Sequence, residues 1–223
     1  MGRLTFTPNK YGTCLVLTSK SNLVSSLTYR ATLYSLLAKS LGPPQQSLSD
    51  LGFLQDLFKT FETTDILALE KEMGTVKFEL GQESITADML NGEYTHLFHR
   101  GACPPYETSY NPERSFSKTN DLADIAGFYM AFGIKQKNET PDHIISELEF
   151  MGLLCLKEAL AVANSLEDEA KICFEARKIF LSEHLGNWIS KYNIRMRKEA
   201  RLGIYPSIAD LVYALVTLDA ASK

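Results

Sequence analysis

The sequence predicts an all-α protein built as a helical bundle. Apolar residues recur at helical spacing along most of the chain, as in the stripe formed by Leu23, Leu27 and Leu37. Helix-breaking residues fall between these periodic segments, and the Gly-Pro-Pro run at 42–44 ends the first of them. The sequence contains no internal repeat and no low-complexity tract.

The predicted elements follow from where this periodicity starts and stops. Thr64 is expected to cap one helix, and the segment at 142–164 is expected to be the longest clear helix. The alternation at 76–80 looks like a strand without a nearby partner, so we predict a connector there. Residues 100–118 contain tandem prolines and are predicted to form an irregular loop. Irregular loops of this length are more often functional or flexible than accidental. The predicted helices are 22–41, 49–61, 64–73, 86–99, 120–133, 142–164, 167–192, 195–202 and 207–220.

The domain organisation is expected to be one bundle made of two helical subdomains. Residues 22–133 form the first and residues 141–223 the second, and the polar segment at 134–140 is the predicted hinge. Residues 1–21 are an N-terminal extension of unknown role.

Composition and charge exclude several classes of function. With 45% hydrophobic and 22% charged residues, the chain resembles an average globular protein, which excludes a disordered, collagen-like or membrane-embedded chain. The 23 basic and 27 acidic residues give a net charge of −4, which argues against nucleic acid as a partner. A basic peptide suits such a chain better.

The expected compartment is the cytoplasm. The apolar run at 14–17 is too short for a secretory signal, and no apolar stretch reaches the roughly 18 residues of a membrane span. The cysteines at 14, 103, 155 and 173 form no C-x-x-C pair, so we expect four reduced thiols.

The helix at 142–164 is the most informative stretch, because it is apolar over most of its circumference. Glu147 shares a narrow polar sector with Lys157 and Glu158, whereas Glu149 falls in the apolar sector. A carboxylate in such a sector must be paired, hydrogen-bonded or protonated.

The start of this helix has a plain structural explanation for all but one residue. Thr140 is the expected N-cap, Pro141 the first helical residue, and Asp142 favours the helix dipole. His143 is not explained in this way, so a neutral imidazole beside a carboxylate is a candidate binding element. Asp142 could accept a bidentate hydrogen bond from an arginine guanidinium.

Five segments of the chain resemble the TorD/DmsD/NarJ-like chaperones, the maturation factors of molybdopterin oxidoreductases. They appear in the family's order, and the resemblance is expected to cover about residues 22–220. The segments are 93–98 (EYTHLF), 104–110 (PPYETSY), 128–133 (FYMAFG), 141–151 (PDHIISELEFM) and 180–188 (FLSEHLGNW).

This resemblance implies a non-enzymatic cytoplasmic chaperone that binds the twin-arginine leader of an apo molybdopterin oxidoreductase and delays its export until the cofactor is loaded. No cofactor is expected for the chaperone itself, and neither nucleic acid nor stable membrane insertion is expected. The resemblance also implies a monomer or a homodimer that exchanges helical halves at the 134–140 hinge. The candidate peptide-binding residues are Asp142, His143, Tyr106, Glu107, Pro105, Pro141, Glu147 and Glu149.

Three alternatives stay open at this point. His96, His99 and Cys103, with Glu93 one turn earlier, could ligate a metal, although no fourth ligand spacing is present. A nucleotide-binding protein is a second alternative, without a visible phosphate-binding motif. A generic helical scaffold that binds its partner through the 100–118 loop is the third.

Overall fold

The computed structural model describes residues 10–44, 69–80, 85–110, 118–135 and 140–221. Over these residues the regular structure is helical and contains no strand, apart from one isolated β-bridge. The predicted all-α class is therefore confirmed. The α-helices are α1 (Lys10–Ser40), α2 (Glu70–Leu80), α3 (Ala87–Tyr94), α4 (Lys118–Ala131), α5 (Ile144–Ala163), α6 (Glu167–Phe180), α7 (Gly186–Glu199) and α8 (Ile204–Ala221).

Helix α5 lies at the centre of the packing, with α1 along one side and α6 along another. Close approach of α1 depends on Gly152, where an added Cβ would lie 3.1 Å from the carbonyl oxygen of Ala31 and 3.2 Å from Oγ of Ser35. The absence of a side chain at this crossing lets the two backbones meet.

Aromatic rings fill the space between α4, α5 and α6. The ring centroids of Phe150 and Phe180 are 4.8 Å apart, those of Phe128 and Phe180 are 5.5 Å apart, and those of Tyr129 and Phe150 are 4.9 Å apart. Such edge-to-face pairs add to the free energy of burial and fix the relative rotation of the helices.

A buried ionic network joins α1, α5, α6 and α8. Arg177 donates to Oε2 of Glu158 at 3.1 Å and lies 3.6 Å from Oδ2 of Asp219. Arg30 lies 2.8 Å from the other oxygen of Asp219, whose Oδ2 also accepts from the Tyr34 hydroxyl at 3.0 Å. Burial raises the pKa of Asp219, and the two arginines oppose that effect. Removal of any one of these side chains would leave a buried charge uncompensated and would destabilise the folded protein.

Two helices continue past the end of their α-helical part as a π-helical turn. Residues Thr95–His99 follow α3, and residues Leu181–Leu185 connect α6 to α7. Of the predicted helix at 195–202, residues 195–199 are helical but belong to α7, which ends at Glu199, and residues 200–203 form a turn. The buried carboxylate of Glu93 holds that turn by accepting the backbone N–H groups of Arg201 and Leu202, the latter at 3.2 Å.

Other predicted boundaries also differ. Helix α1 begins at Lys10 and has 31 residues, against 20 for α5, so the prediction that 142–164 is the longest helix is wrong. The connector predicted at 76–80 is part of α2. The predicted helix at 49–61 and the Thr64 cap lie outside the described residues.

One described helix, α8, is long and apolar enough to cross a membrane by length and composition alone, with a mean hydropathy of 1.3. Of this helix 56% is buried inside the protein, where it packs against α7 and α2. The core helix of a globular bundle has the same properties.

Replacement of Gly152 by valine tests the close crossing of α1 and α5. We expect Gly152→Val to lower the free energy of unfolding by about 1–3 kcal/mol, because the added methyl groups must push the helices apart. Urea denaturation followed by circular dichroism measures this change. Gly127→Val in α4 is the matched control, since nothing lies within 4 Å of a Cβ added there. Equal losses in the two variants would contradict a packing role for Gly152.

Candidate functional site

The loop that contains the two prolines is tied to the beginning of α5; we call residues 104–110 the Pro-Pro loop. Tyr106 and His143 form an isolated antiparallel β-bridge. The backbone N–H of Glu107 donates to the carbonyl oxygen of Asp142 at 2.9 Å, and that of Ile144 donates to the carbonyl oxygen of Pro105 at 2.8 Å. Two sequence segments quoted above for their resemblance are thus one structural unit.

Asp142 holds the Pro-Pro loop through its side chain as well. Its carboxylate is buried, with the residue 2% exposed, and Oδ2 accepts from the Thr108 hydroxyl at 2.7 Å and the Thr108 N–H at 3.3 Å. These bonds attach the short 3-10 turn Glu107–Ser109, which contains Thr108, to the start of α5. In this conformation Oδ2 of Asp142 is hydrogen-bonded to Thr108. Contact between Asp142 and a peptide stays a prediction.

His143, not Thr140, is the N-cap of α5. Its Nδ1 accepts the backbone N–H of Ile145 at 3.2 Å, which requires an imidazole unprotonated at Nδ1. The expected Thr140 cap and the expected helical position of Pro141 are wrong, because α5 begins at Ile144. Pro141 is half-buried and accepts the Tyr129 hydroxyl at 2.8 Å through its carbonyl oxygen.

Glu147 lies inside the protein, one turn into α5. It is 0% exposed, and its Oε2 accepts the indole N–H of Trp188 at 3.0 Å. Burial raises the pKa of Glu147 well above its usual value, the nearby charges of Glu107 and Asp142 raise it further, and the Trp188 hydrogen bond opposes them. This environment favours the neutral, protonated carboxyl.

Glu149 has the opposite environment from the one predicted. It is exposed, so the expectation of an enclosed, paired carboxylate is wrong. Leu156 and Leu160 on the same face are also exposed, Leu160 by 55%. The polar sector of α5 therefore faces the core, while part of its apolar sector faces outward.

Sequence reasoning gave no role to three residues that complete the site. Thr108 pairs with Asp142, Tyr129 supports the turn before α5, and His184 places Nδ1 3.4 Å from Oε2 of the buried Glu107. Tyr129 and His184 lie in the quoted segments, but no spacing in the chain indicates their partners. Among the predicted residues, the structure brings together Pro105, Tyr106, Glu107, Pro141, Asp142, His143 and Glu147.

The metal ligands considered at 93–103 do not come together. Cys103 is buried, with Sγ 3.4 Å from the Tyr110 hydroxyl, and burial raises the pKa of its thiol to about 11. His96 contacts the carbonyl oxygen of Glu199 at 3.1 Å, and the exposed His99 packs on Tyr94 with ring centroids 5.3 Å apart. These side chains have separate structural contacts.

Comparisons with known proteins agree with the resemblance in the sequence. The chlorate reductase assembly chaperone of Ideonella dechloratans is 33% identical over 153 residues, which cover 63% of this chain and 73% of the relative. The chaperone TorD of Aliivibrio fischeri is 26% identical over 174 residues, 75% of this chain and 78% of the relative. The selenate reductase assembly chaperone of Thauera selenatis is 30% identical over 142 residues, 59% and 70%.

The class that the fold and these relatives define is that of the redox-enzyme assembly chaperones of the TorD type, which are not enzymes. The sequence model of the nitrate reductase delta subunit family matches residues 47–192, and the chain belongs to this family. The predicted family and the predicted chaperone class are both confirmed.

Replacement of Glu147 by glutamine tests whether its carboxyl is neutral. The folded chain keeps this proton at pH values where the unfolded chain, with a pKa near 4.5, has lost it. The contribution of Glu147 to the free energy of unfolding is therefore complete below the pKa of the unfolded chain. It is lost as the pH rises toward the higher pKa of the folded chain, by up to about 1.4 kcal/mol per pH unit. Glu147→Gln should show a shallower decline of stability in urea denaturation at about pH 5, 6.5 and 8.

Glu149→Gln is the control for this experiment, because the same change at an exposed position should leave the pH dependence as in the wild type. An unchanged pH dependence in Glu147→Gln would indicate that Glu147 is ionised in the folded protein.

Proposed function

We propose that the chain is a cytoplasmic chaperone that binds the twin-arginine leader of an apo molybdopterin oxidoreductase, supports cofactor insertion and delays export. The observation that carries the proposal is the pairing of the Pro-Pro loop with the start of α5, which brings the carboxylates of Glu107 and Asp142 to the bridge between Tyr106 and His143. Acidic groups at this position suit a basic peptide.

The net charge of −4 supports the same type of partner. Burial raises the pKa of Tyr129, and the charges of nearby carboxylates, with exposed Glu149 as the weakest of them, raise it further. Tyr129 in turn donates to Pro141. Because Glu149 is exposed, an arginine-containing leader can reach its carboxylate without any rearrangement of the loop.

Asp142 joins the leader only when its bonds to Thr108 are exchanged. A guanidinium can make two parallel, charge-assisted hydrogen bonds to one carboxylate, whereas an ammonium cannot. Thr108 donates to the Asp142 carboxylate from two uncharged groups, whereas arginine donates from a cation. Displacement of Thr108 by arginine therefore replaces two hydrogen bonds with two stronger ones, and this exchange is the basis of selectivity for arginine.

The division into two helical subdomains is part of the same proposal. Helix α4 ends at Ala131 and α5 begins at Ile144, so a hinge at 134–140 lies between helices. Because α1 packs along α5, protomers that exchanged halves would make this contact between chains. Such a dimer keeps the same interface.

Titration calorimetry with a synthetic twin-arginine leader tests the proposal, with a Lys-Lys leader beside it. We expect saturable binding that weakens with added salt and about tenfold weaker binding of the Lys-Lys leader. Asp142→Asn should bind the leader at least about tenfold more weakly, because it loses the charge but keeps an oxygen for Thr108. Thr108→Ala should bind a few-fold more tightly, because Asp142 no longer has to be released.

Asp168→Asn, an exposed carboxylate change at the start of α6, is the matched control and should leave binding unchanged. Wild-type affinity in a folded Asp142→Asn variant would refute the role of Asp142 in leader binding. Weaker binding in Thr108→Ala would show that the closed loop, not its release, is the binding form.

A further inference from the structure

We propose that Asp124, Glu183 and His184 form a binding site for a divalent first-row transition-metal ion; we call these three residues the acid–histidine cluster. One donor atom from each of them lies within 4.8 Å of the other two. Ions of this class bind imidazole nitrogen and carboxylate oxygen at about 2.0–2.2 Å, so donors at this spacing can share one ion.

The buried histidine distinguishes this cluster from an ordinary group of surface acids. His184 is 3% exposed, and neither of its ring nitrogens makes a hydrogen bond of good geometry. Its Nε2 nevertheless lies 3.3 Å from Oδ2 of Asp124, whose side chain is 60% exposed. A buried ring nitrogen thus points to a surface where carboxylates converge.

The second nitrogen of His184 has the partner that a metal-bound histidine commonly has. Nδ1 lies 3.4 Å from Oε2 of Glu107, which is itself buried and without a hydrogen bond at that oxygen. A carboxylate at Nδ1 favours the tautomer that carries its proton there, which leaves the lone pair of Nε2 for a metal. Glu107 is thus a positioning residue for His184.

The surrounding structure holds the histidine ring in place. The rings of Phe128 and Phe180 pack against it, with centroid distances of 5.6 Å and 5.1 Å. Glu183 and His184 lie on the π-helical turn Leu181–Leu185, a type of turn that is frequent at functional sites. Gly186 permits this turn, because a Cβ there would overlap the carbonyl oxygen of Leu181.

The donor set selects the class of ion. One imidazole and two carboxylates leave open coordination positions and suit Zn²⁺, Mn²⁺ or Fe²⁺ better than Ca²⁺ or Mg²⁺, which prefer oxygen ligands alone. Zn²⁺ binds nitrogen and oxygen donors more tightly than Mn²⁺ or Fe²⁺. Zn²⁺ is therefore the test ion, and Co²⁺ is its spectroscopic substitute.

Calorimetric titration of Zn²⁺ into the full chain, dialysed against a chelator and then against buffer, tests the site without any leader peptide. We expect one saturable site, weakened at least about tenfold in Asp124→Asn and in Glu183→Gln and lost in His184→Gln. Glu107→Gln should weaken binding by about 10–100-fold, the range for a group that orients a ligand. Titration with Co²⁺ should give visible absorption that the same substitutions remove.

His96→Gln and Asp168→Asn are matched controls, since they make the same changes outside the cluster. Because Asp124 and Glu183 are exposed, their variants should keep the wild-type circular dichroism spectrum even if His184→Gln unfolds. The proposal is refuted if no saturable site is found, if binding survives in both Asp124→Asn and Glu183→Gln, or if only His96→Gln removes it. Absence of any site would leave His184 as a histidine paired with two carboxylates.

Discussion

Burial of two glutamates on one face of α5 constrains the helices packed around it. Glu147 and Glu158 lie three turns apart at nearly the same angle around the helix axis, and both are buried. Each needs a hydrogen-bond donor inside the core, because an unpaired buried carboxyl is strongly destabilising. Trp188 supplies the donor at one end and Arg177 at the other. The rotation and register of α6 and α7 must therefore place these two donors opposite the two glutamates, in addition to packing their apolar faces.

The same constraint explains why the residues predicted to bind a peptide have structural partners. Asp142 pairs with Thr108, His143 caps α5 and Glu147 accepts from Trp188. A hydrogen bond between neutral groups contributes roughly 0.5–1.5 kcal/mol and one to a charged group roughly 1.5–3 kcal/mol, and a buried group that lost its partner would be strongly destabilising. A ligand that opens the loop must therefore replace the bonds it breaks. The guanidinium of arginine has the geometry and charge to do so, which links the stability of the loop to the selectivity proposed for it.

The sequence predicted the helical class because the 3.6-residue period survives along most of the chain. It also located α4, predicted at 120–133 and observed as Lys118–Ala131, and α8, predicted at 207–220 and observed as Ile204–Ala221. It failed on the orientation of α5, since a helix that is apolar on nearly all sides does not indicate which face is outward. A carboxylate beside a buried donor, such as Glu147, looks the same in sequence as one in water, such as Glu149.

The candidate site was predictable in part for a related reason. The sequence identifies the segments around Tyr106 and His143 one by one, but it does not indicate that they pair, because pairing between distant residues depends on tertiary contacts. The cap provided by His143 was missed because histidine is not among the common N-cap residues. The π-helical turn that carries His184 breaks the 3.6-residue period, so a face assigned by regular spacing places its side chains incorrectly.

Glu107 connects the two proposals physically. It belongs to the Pro-Pro loop through its backbone bond to Asp142, and its carboxylate faces Nδ1 of His184. If a leader draws the loop away from α5, His184 loses the group that orients it, and the affinity of the acid–histidine cluster for a metal falls. Linkage requires the reverse effect to be equal, so an ion bound at the cluster would stabilise the closed loop and weaken leader binding by the same factor. The coupling can be no larger than the change in metal affinity caused by loss of Glu107 from His184. Each site can therefore bind its own ligand without the other, although binding at one changes the affinity at the other.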